Sequence, residues 1–590
     1  MDFRMRRLSI VVCGPFTVLG DNARSLGSRA LLMTMWKRLA ARLRDDERGA
    51  IAVQFALLMI PIAILTFGLI DLSRTSVQKR QLQDALDAAT LMAARSTATT
   101  DAALDTVGDA ALATEMAGLG VPLTRANSTF ALGPNNTVVG AIQNVTIKPI
   151  ISNLWSSGDT HVAAGSTVMR SVNKLEVALV LDNTGSMGST LGSGTKKIDA
   201  LIDASKSLVD VLAAAAARAT ETDAVKISVV PFSMTVNVGS TYQNQTSWLA
   251  GKMPTTGYGA DVFATNQNRF TLLSNLGLTW AGCVESRPAP YDVTDDAPNT
   301  SAPASMFVPF FAPDEPDDNT VGVNQSSTNR YRDARTVSNP GNPIMNNWLP
   351  DGVSPSGTLA TAWATRSTPI AKYGASNKSK VLSQAKTGTT YGPNAGCGLT
   401  SLMRLTNVRA TTQRDAVKTK LGQMIANGNT NVAMGLAWGW HTLSNNAPFA
   451  DGVNPTTTDG KKTTKVIVLL TDGDNTNDTY ANPNNSIYTG YGYIAQGRLK
   501  NASGTALTAG STATNRRDAI DYREKLLCEN AKAEGVVIYA IGVGVSSHSK
   551  AILQACATKL DMYYDVNDAD ELTSVFNTIA GSIQNLRITK

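Results

Sequence analysis

Asp182, Thr184 and Ser186 stand at alternate positions in the stretch Leu175–Met187, which reads LEVALVLDNTGSM. One carboxylate and two hydroxyls on a tight loop can face a single point. They are hard oxygen donors, the set that suits Mg²⁺, Mn²⁺ or Ca²⁺. The apolar, β-branched run before Asp182 predicts a buried parallel strand. Open α/β sheets place their sites at the carboxyl ends of such strands. An ordinary polar turn after a strand is the competing reading of these residues taken alone.

The remaining residues offer little for covalent chemistry. Gly188–Lys197 (GSTLGSGTKK) superficially suggests a phosphate loop, but Thr195 precedes Lys196 and the glycine-lysine-hydroxyl order is missing. No G-x-S-x-G elbow is present. The chain holds 3 histidines, His161, His441 and His548, so a histidine-based metal or hydrolase site is poorly supplied. Its 5 cysteines, Cys13, Cys283, Cys397, Cys528 and Cys556, form no CxxC pair, which argues against a thiolate zinc site. These readings point away from an enzyme.

A chain of 590 residues exceeds one core and predicts several units. Charged residues make up 17% and aromatics 6%, which suits an exported, loop-rich protein. The net charge of +6 resides in a tail. Residues 1–48 hold 10 Lys/Arg and 5 Asp/Glu, leaving 43 and 42 for the rest. That distribution excludes a basic nucleic-acid face.

Residues 1–48 read as a basic cytoplasmic segment, and a true start at Met33 or Met35 would shorten it. Ala50–Ile70 is uncharged and long enough, at 1.5 Å per residue, to span a hydrocarbon core of about 30 Å. Asp71–Arg74 offers no small-residue cleavage site, so residues 49–71 read as a retained transmembrane helix. Lys37, Arg38, Arg42, Arg44 and Arg48 precede it, which puts the amino terminus inside and the bulk outside. Arg48–Leu57 (RGAIAVQFAL) resembles the amino-terminal segment of TadE/TadG-like proteins of Tad (Flp) pilus assembly. That family often carries an acid where Gln54 stands, an acid linked to peptidase processing and fibre assembly. Gln54 therefore fits a stably anchored protein. Residues 72–174 read as a helical stalk followed by a small α+β spacer with short strands at 144–151 and 161–172.

From Leu175 the pattern is α/β. Lys197–Ala219 predicts a helix, Val225–Pro231 a second strand, Lys465–Leu470 a third and Val536–Val543 a fourth. Met562–Asp565 reads as a short fifth, and Asp568–Leu586 as a closing helix. Residues 236–410 are rich in Asn, Thr, Ser, Gly and Pro and read as an insertion between a first part at 175–235 and a second at 411–590. Its acidic tract Pro313–Asp318 reads as a solvated loop.

Two further oxygen-bearing loops follow, at Thr430 and at Thr471-Asp472-Gly473-Asp474-Asn475. With Asp182, Thr184 and Ser186 they resemble a von Willebrand factor A (vWA) domain and its metal-ion-dependent adhesion site. Thr184 stands where that family places a serine and still supplies an oxygen. The resemblance implies a Rossmann-like α/β fold, with a mainly parallel sheet flanked by helices. It implies a divalent cation, Mg²⁺ first and Mn²⁺ or Ca²⁺ as alternatives. Asp182, Thr184 and Ser186 would ligate directly, Thr430 would respond to partner binding, and Asp472 would act directly or through water. Asp474 would be an outer residue at most. Mg²⁺ keeps several waters, so few carboxylates suffice and a position stays open for a partner's acid. Cys283–Cys397 and Cys528–Cys556 are the candidate disulfides of an oxidising exterior.

The expectation is a single-pass inner-membrane component of a Tad pilus or secretion system. Its exported vWA domain would bind protein partners, namely other pilus or secretion components, through the cation. The alternatives are a minor pilin-like subunit and a surface adhesin for external ligands.

Overall fold

A computed structural model of the chain describes residues 37, 50–96, 98, 100–118, 128–133, 137–147, 160–169, 174–192, 194–219, 221–252, 267–314, 346, 348–349, 370–379, 392–458, 463–480 and 485–586. Apart from Lys37, the basic 1–48 segment lies outside the described residues, as do residues 315–318 of the acidic tract. The chain divides into two compact units, the first drawn from within residues 1–167 and the second chiefly 168–590.

The first unit is built on α1, Ala50–Arg95. Its amino-terminal part displays Phe55, Leu57, Leu58, Ile60, Leu65 and Leu69 to the outside, while Leu82, Ala85, Leu86 and Ala89 are buried. One helix therefore exposes its apolar side chains over its first part and buries them over its second. The outward-facing apolar half is long and apolar enough to cross a membrane. The later half has a helical-period stripe that needs a protein partner. That partner is a three-stranded sheet in the order β1 (Ser128–Gly133), β2 (Thr137–Ile147), β3 (Thr160–Met169), together with α2 (Asp101–Ala117). Close approach needs two glycines. A Cβ at Gly140 would lie 2.2 Å from Thr90 Oγ1, and one at Gly108 would lie 2.3 Å from the Phe130 ring.

The second unit is an α/β sandwich around one sheet. Its elements run β4 (Lys174–Asp182), α3 (Lys197–Arg218), β5 (Val225–Phe232), β6 (Val236–Asn237), α4 (Arg269–Asn275), β7 (Cys283–Glu285) and β8 (Val308–Pro309). They continue with β9 (Met403–Asn407), α5 (Thr411–Gly422), α6 (Val432–Leu443), β10 (Thr463–Thr471) and α7 (Ala513–Ala533). The last are β11 (Val537–Val543), α8 (Ser547–Cys556), β12 (Tyr563–Val566) and α9 (Leu572–Leu586). The sheet order is β12-β11-β10-β4-β5-β6-β7-β8, with β9 also on β5. The five strands from β12 to β5 are parallel, and β6 to β9 join antiparallel.

Strand β4 sits where the winding reverses. The chain leaves β4 for β5 on one side and later returns to β10 on the other. In open α/β sheets the crevice between helices of opposite faces lies at such a reversal, here at the carboxyl ends of β4 and β10. Leu175, Val177, Leu179 and Leu181 bury one face of β4 against α3, α5 and α9. Ala178 and Val180 bury the other under α6 and α7. This two-sided burial is why the strand reads as a continuous apolar run.

The 236–410 range contributes β6, β7, β8 and β9 to the same sheet. Cys283 and Cys397, disulfide-bonded with Cα atoms 5.7 Å apart, tie β7 to the segment before β9. Cys528 of α7 and Cys556 of α8 form the other disulfide, at a Cα separation of 5.1 Å. Within the acidic tract, Asp314 is fully buried. It pairs with Lys372 and accepts from Leu349 N at 2.6 Å. That residue is a packing anchor of the loop, not a solvated charge.

Candidate metal centre

The crevice gathers the predicted oxygens from loops far apart in sequence. Asp182 closes β4, and its register neighbour on β5 is Phe232. Its side chain is inaccessible to solvent, and both carboxylate oxygens are engaged. Oδ1 accepts from Thr184 N at 2.8 Å, and Oδ2 accepts from Thr471 Oγ1 at 2.7 Å. Burial, and after it the charge of Asp472, pushes the Asp182 carboxyl up to about 6.

Thr184 Oγ1 and Ser186 Oγ share a hydrogen bond of 2.9 Å. Ser186 Oγ donates to Asp472 Oδ1 at 2.6 Å. Thr184 is buried, whereas Ser186 reaches the surface. Asp472 follows directly on β10, and its second oxygen, Oδ2, accepts from Lys197 Nζ at 2.9 Å. Asp182, Thr184, Ser186 and Asp472 thus form one connected group of oxygens with an outlet at Ser186.

Thr430 reaches the group through its loop. Gly185 N donates to Gly428 O at 2.9 Å, and Asn427 N donates to Asn183 O at 2.8 Å. The two loops are therefore stitched backbone to backbone. Thr430 N donates to Thr476 Oγ1, and Thr476 N returns a bond to Thr430 O, each at 2.9 Å. The Thr430 hydroxyl itself makes no hydrogen bond to Asp182, Ser186 or Asp472.

Helix α6 carries this loop, and its packing explains the placement. Every residue from Val432 to Leu443 is buried. Two glycines let α6 press on the sheet. A Cβ at Gly435 would lie 2.4 Å from the Phe232 ring, and one at Gly439 would lie 2.3 Å from Val180 Cγ2. Its first turn is capped by Asn431 Oδ1, which accepts from Met434 N at 3.2 Å. Asn475 Oδ1 accepts from Val432 N at 2.7 Å. The Asn475 Nδ2 group donates to Asp521 at 2.8 Å and to Glu524 at 2.7 Å, both on α7.

Asp474 faces elsewhere. Its carboxylate accepts from Ser546 and Ser549 at the start of α8 and lies 3.5 Å from Arg517. It does not join the oxygen group. Two participants were not foreseen as site residues. Lys197 lies in the GSTLGSGTKK tract, which is not a phosphate loop but leads into α3. Asn475 follows Asp474 in the turn after β10, and its only sequence signal is that position.

The donor set fits a hard dication. All the ligand candidates are oxygens, and two of them are carboxylates. Lys197 adds one positive charge beside Asp472.

Residues 49–96 match the Tad family, described as putative Flp pilus-assembly TadE/G-like. None of the curated proteins compared with this chain matches it. Among solved structures, the pilus adhesin SpaC from Lactobacillus rhamnosus GG is 12% identical, over 78% of this chain and 34% of its own, with a TM-score of 0.31. This chain thus spans about a third of the length of that adhesin. The vWF domain of the type V pili tip protein Mfa5 from Porphyromonas gingivalis is 10% identical, over 71% of this chain and 97% of its own, with a TM-score of 0.29. The adhesive tip pilin GBS104 from group B Streptococcus agalactiae is 13% identical, over 70% and 100%, with a TM-score of 0.31. At such identities nothing of those proteins' binding passes to this chain. Residues 49–96 thus match the model of the Tad family, putative Flp pilus-assembly TadE/G-like, and the unit that follows has the mainly parallel, helix-flanked α/β sheet that the sequence implied.

Proposed function

We propose that the chain is a membrane-anchored component of a Tad (Flp) pilus-assembly or secretion system, and that its vWA unit docks a partner protein through a divalent cation. The carrying observation is the connected oxygen group at the β4/β10 crevice, closed within and open at Ser186. Asp182, Thr184, Ser186, Thr430 and Asp472 would hold the ion. When bound, it supplies an electrophilic position that a partner's carboxylate can complete.

The chain's own residues do the rest. Thr471 and Thr184 N fix the Asp182 carboxylate before any ligand arrives. Asn475 and Thr476 fix the loop that bears Thr430. Pre-organised donors lower the ordering cost of binding. The role is non-enzymatic. The outward-facing apolar half of α1 supports anchoring through one helix, and the basic residues before it support a cytoplasmic amino terminus.

The test uses the full chain in mild detergent as bait for envelope proteins of the parent bacterium. Wild type with Mg²⁺, wild type with chelator, and Asp182→Ala with Mg²⁺ are compared. A partner is expected with the first alone. Recovery of the same proteins in all three would reject metal-dependent docking.

A further inference from the structure

We propose that Lys197 is a built-in counter-cation of this site, which holds its affinity for divalent ions down and keeps the donors ordered when no ion is bound. The inference rests on the metal reading above and adds how occupancy is regulated.

Lys197 is the first residue of α3 and is only 8% exposed. Its ammonium lies 2.9 Å from Asp472 Oδ2, and the Asp472 side chain is wholly buried. The other Asp472 oxygen is taken by Ser186. Every carboxylate oxygen at the site thus has a partner from the chain itself, since Asp182 has Thr184 N and Thr471. Two carboxylates alone would present a charge of −2 to a dication. With the ammonium between α3 and β10, the set presents −1.

A purely structural role would not require a charge there. Buried ion pairs are often no better for stability than apolar residues of the same volume. A lysine is suited to a different task, because its ammonium is a point charge on a flexible stem that can withdraw. Like charges close together in a poorly screened site repel strongly. An incoming dication must tolerate that ammonium or displace it. Either way it binds more weakly than the oxygens alone would allow. Occupancy then tracks ion concentration, and the ion-free crevice keeps its geometry because Lys197 neutralises Asp472. The neighbouring Lys196 is exposed and forms no such pair, so it controls for the overall loss of one charge.

The experiment measures Mn²⁺ binding to the full chain in detergent, by calorimetry and by loss of the free-ion paramagnetic resonance signal. Wild type, Lys197→Met, Lys196→Met and Asp182→Ala are compared. Lys197→Met is expected to bind about tenfold more tightly than wild type or more. Lys196→Met should stay within about twofold of wild type, and Asp182→Ala should not bind. Binding by Lys197→Met alone, with none by wild type, sustains the counter-cation and removes ion-dependent docking from the native protein. Equal or weaker binding by Lys197→Met, with wild type binding, overturns the counter-cation and leaves the docking reading standing. No binding by either overturns both. If circular dichroism shows Lys197→Met unfolded, Lys197→Gln, which keeps a donor for Asp472, is read by the same criteria.

Discussion

Glu524→Gln should stabilise the protein, and by more as the pH rises. Glu524 sits on α7 and is 2% exposed. Burial, opposed by the Asn475 bond and reinforced by Asp521, lifts its carboxyl from an ordinary 4.5 to about 8. The folded chain therefore keeps a proton that the unfolded chain releases between those two values. Where the folded state binds more protons, stability falls as pH rises, by about 1.4 kcal/mol per pH unit. The loss begins near pH 4.5 and is complete above about pH 8, where it totals up to about 5 kcal/mol. By pH 7 it is about 3 kcal/mol. Glutamine mimics the protonated acid, and its carbonyl can still accept from Asn475 Nδ2, which now lies 2.7 Å from a Glu524 oxygen. The stability difference between Glu524→Gln and wild type should then be small near pH 5 and climb through neutrality. Urea unfolding of the full chain in detergent, followed by tryptophan fluorescence at several pH values, measures it. A difference that does not change with pH, or a variant less stable than wild type above about pH 8, would refute the argument.

The other predictions concern two glycines and one buried carboxylate. Gly439→Ala should destabilise by about 1–3 kcal/mol despite the better helix propensity of alanine, because its Cβ would meet Val180. Gly581→Ala on α9, where a Cβ meets nothing, should instead gain up to about 1 kcal/mol, so the signs of the two urea midpoints form an internal control. Glu285→Ala should cost about 3–5 kcal/mol, since it removes the buried carboxylate that pairs with Arg269 and Arg498 and accepts from the Tyr488 hydroxyl. Denaturation midpoints and protease sensitivity of the β7 region check it, and an unchanged midpoint would show that the charges find other partners.

Local pattern carried the sequence reading where one element's environment is uniform along its length. The uncharged stretch Ala50–Ile70 needs no partner to be recognised, because its length and apolarity suit one solvent. The structure shows it as the start of a single helix that runs on to Arg95. The strands ending at Asp182 and Thr471 are apolar on both faces, so their runs stand out. Strands β6 and β8 have 2 residues each, too few to show a period, and the 236–410 range consequently read as an insertion rather than as part of the sheet.

Sequence alone therefore determined the long apolar helix, the α/β class and which loops bear the oxygens. Each is written in residues adjacent along the chain. Only the tertiary structure decided which of those loops meet. Ser186 and Asp472 are 286 positions apart, and Lys197 and Asp472 are 275 apart. The reversal of winding at β4 brings them to one crevice. It also decided that Asp474 turns to α8 and that Glu524 lies buried beside Asn475. Charge partners and burial are properties of distances across the fold, and no local period encodes them.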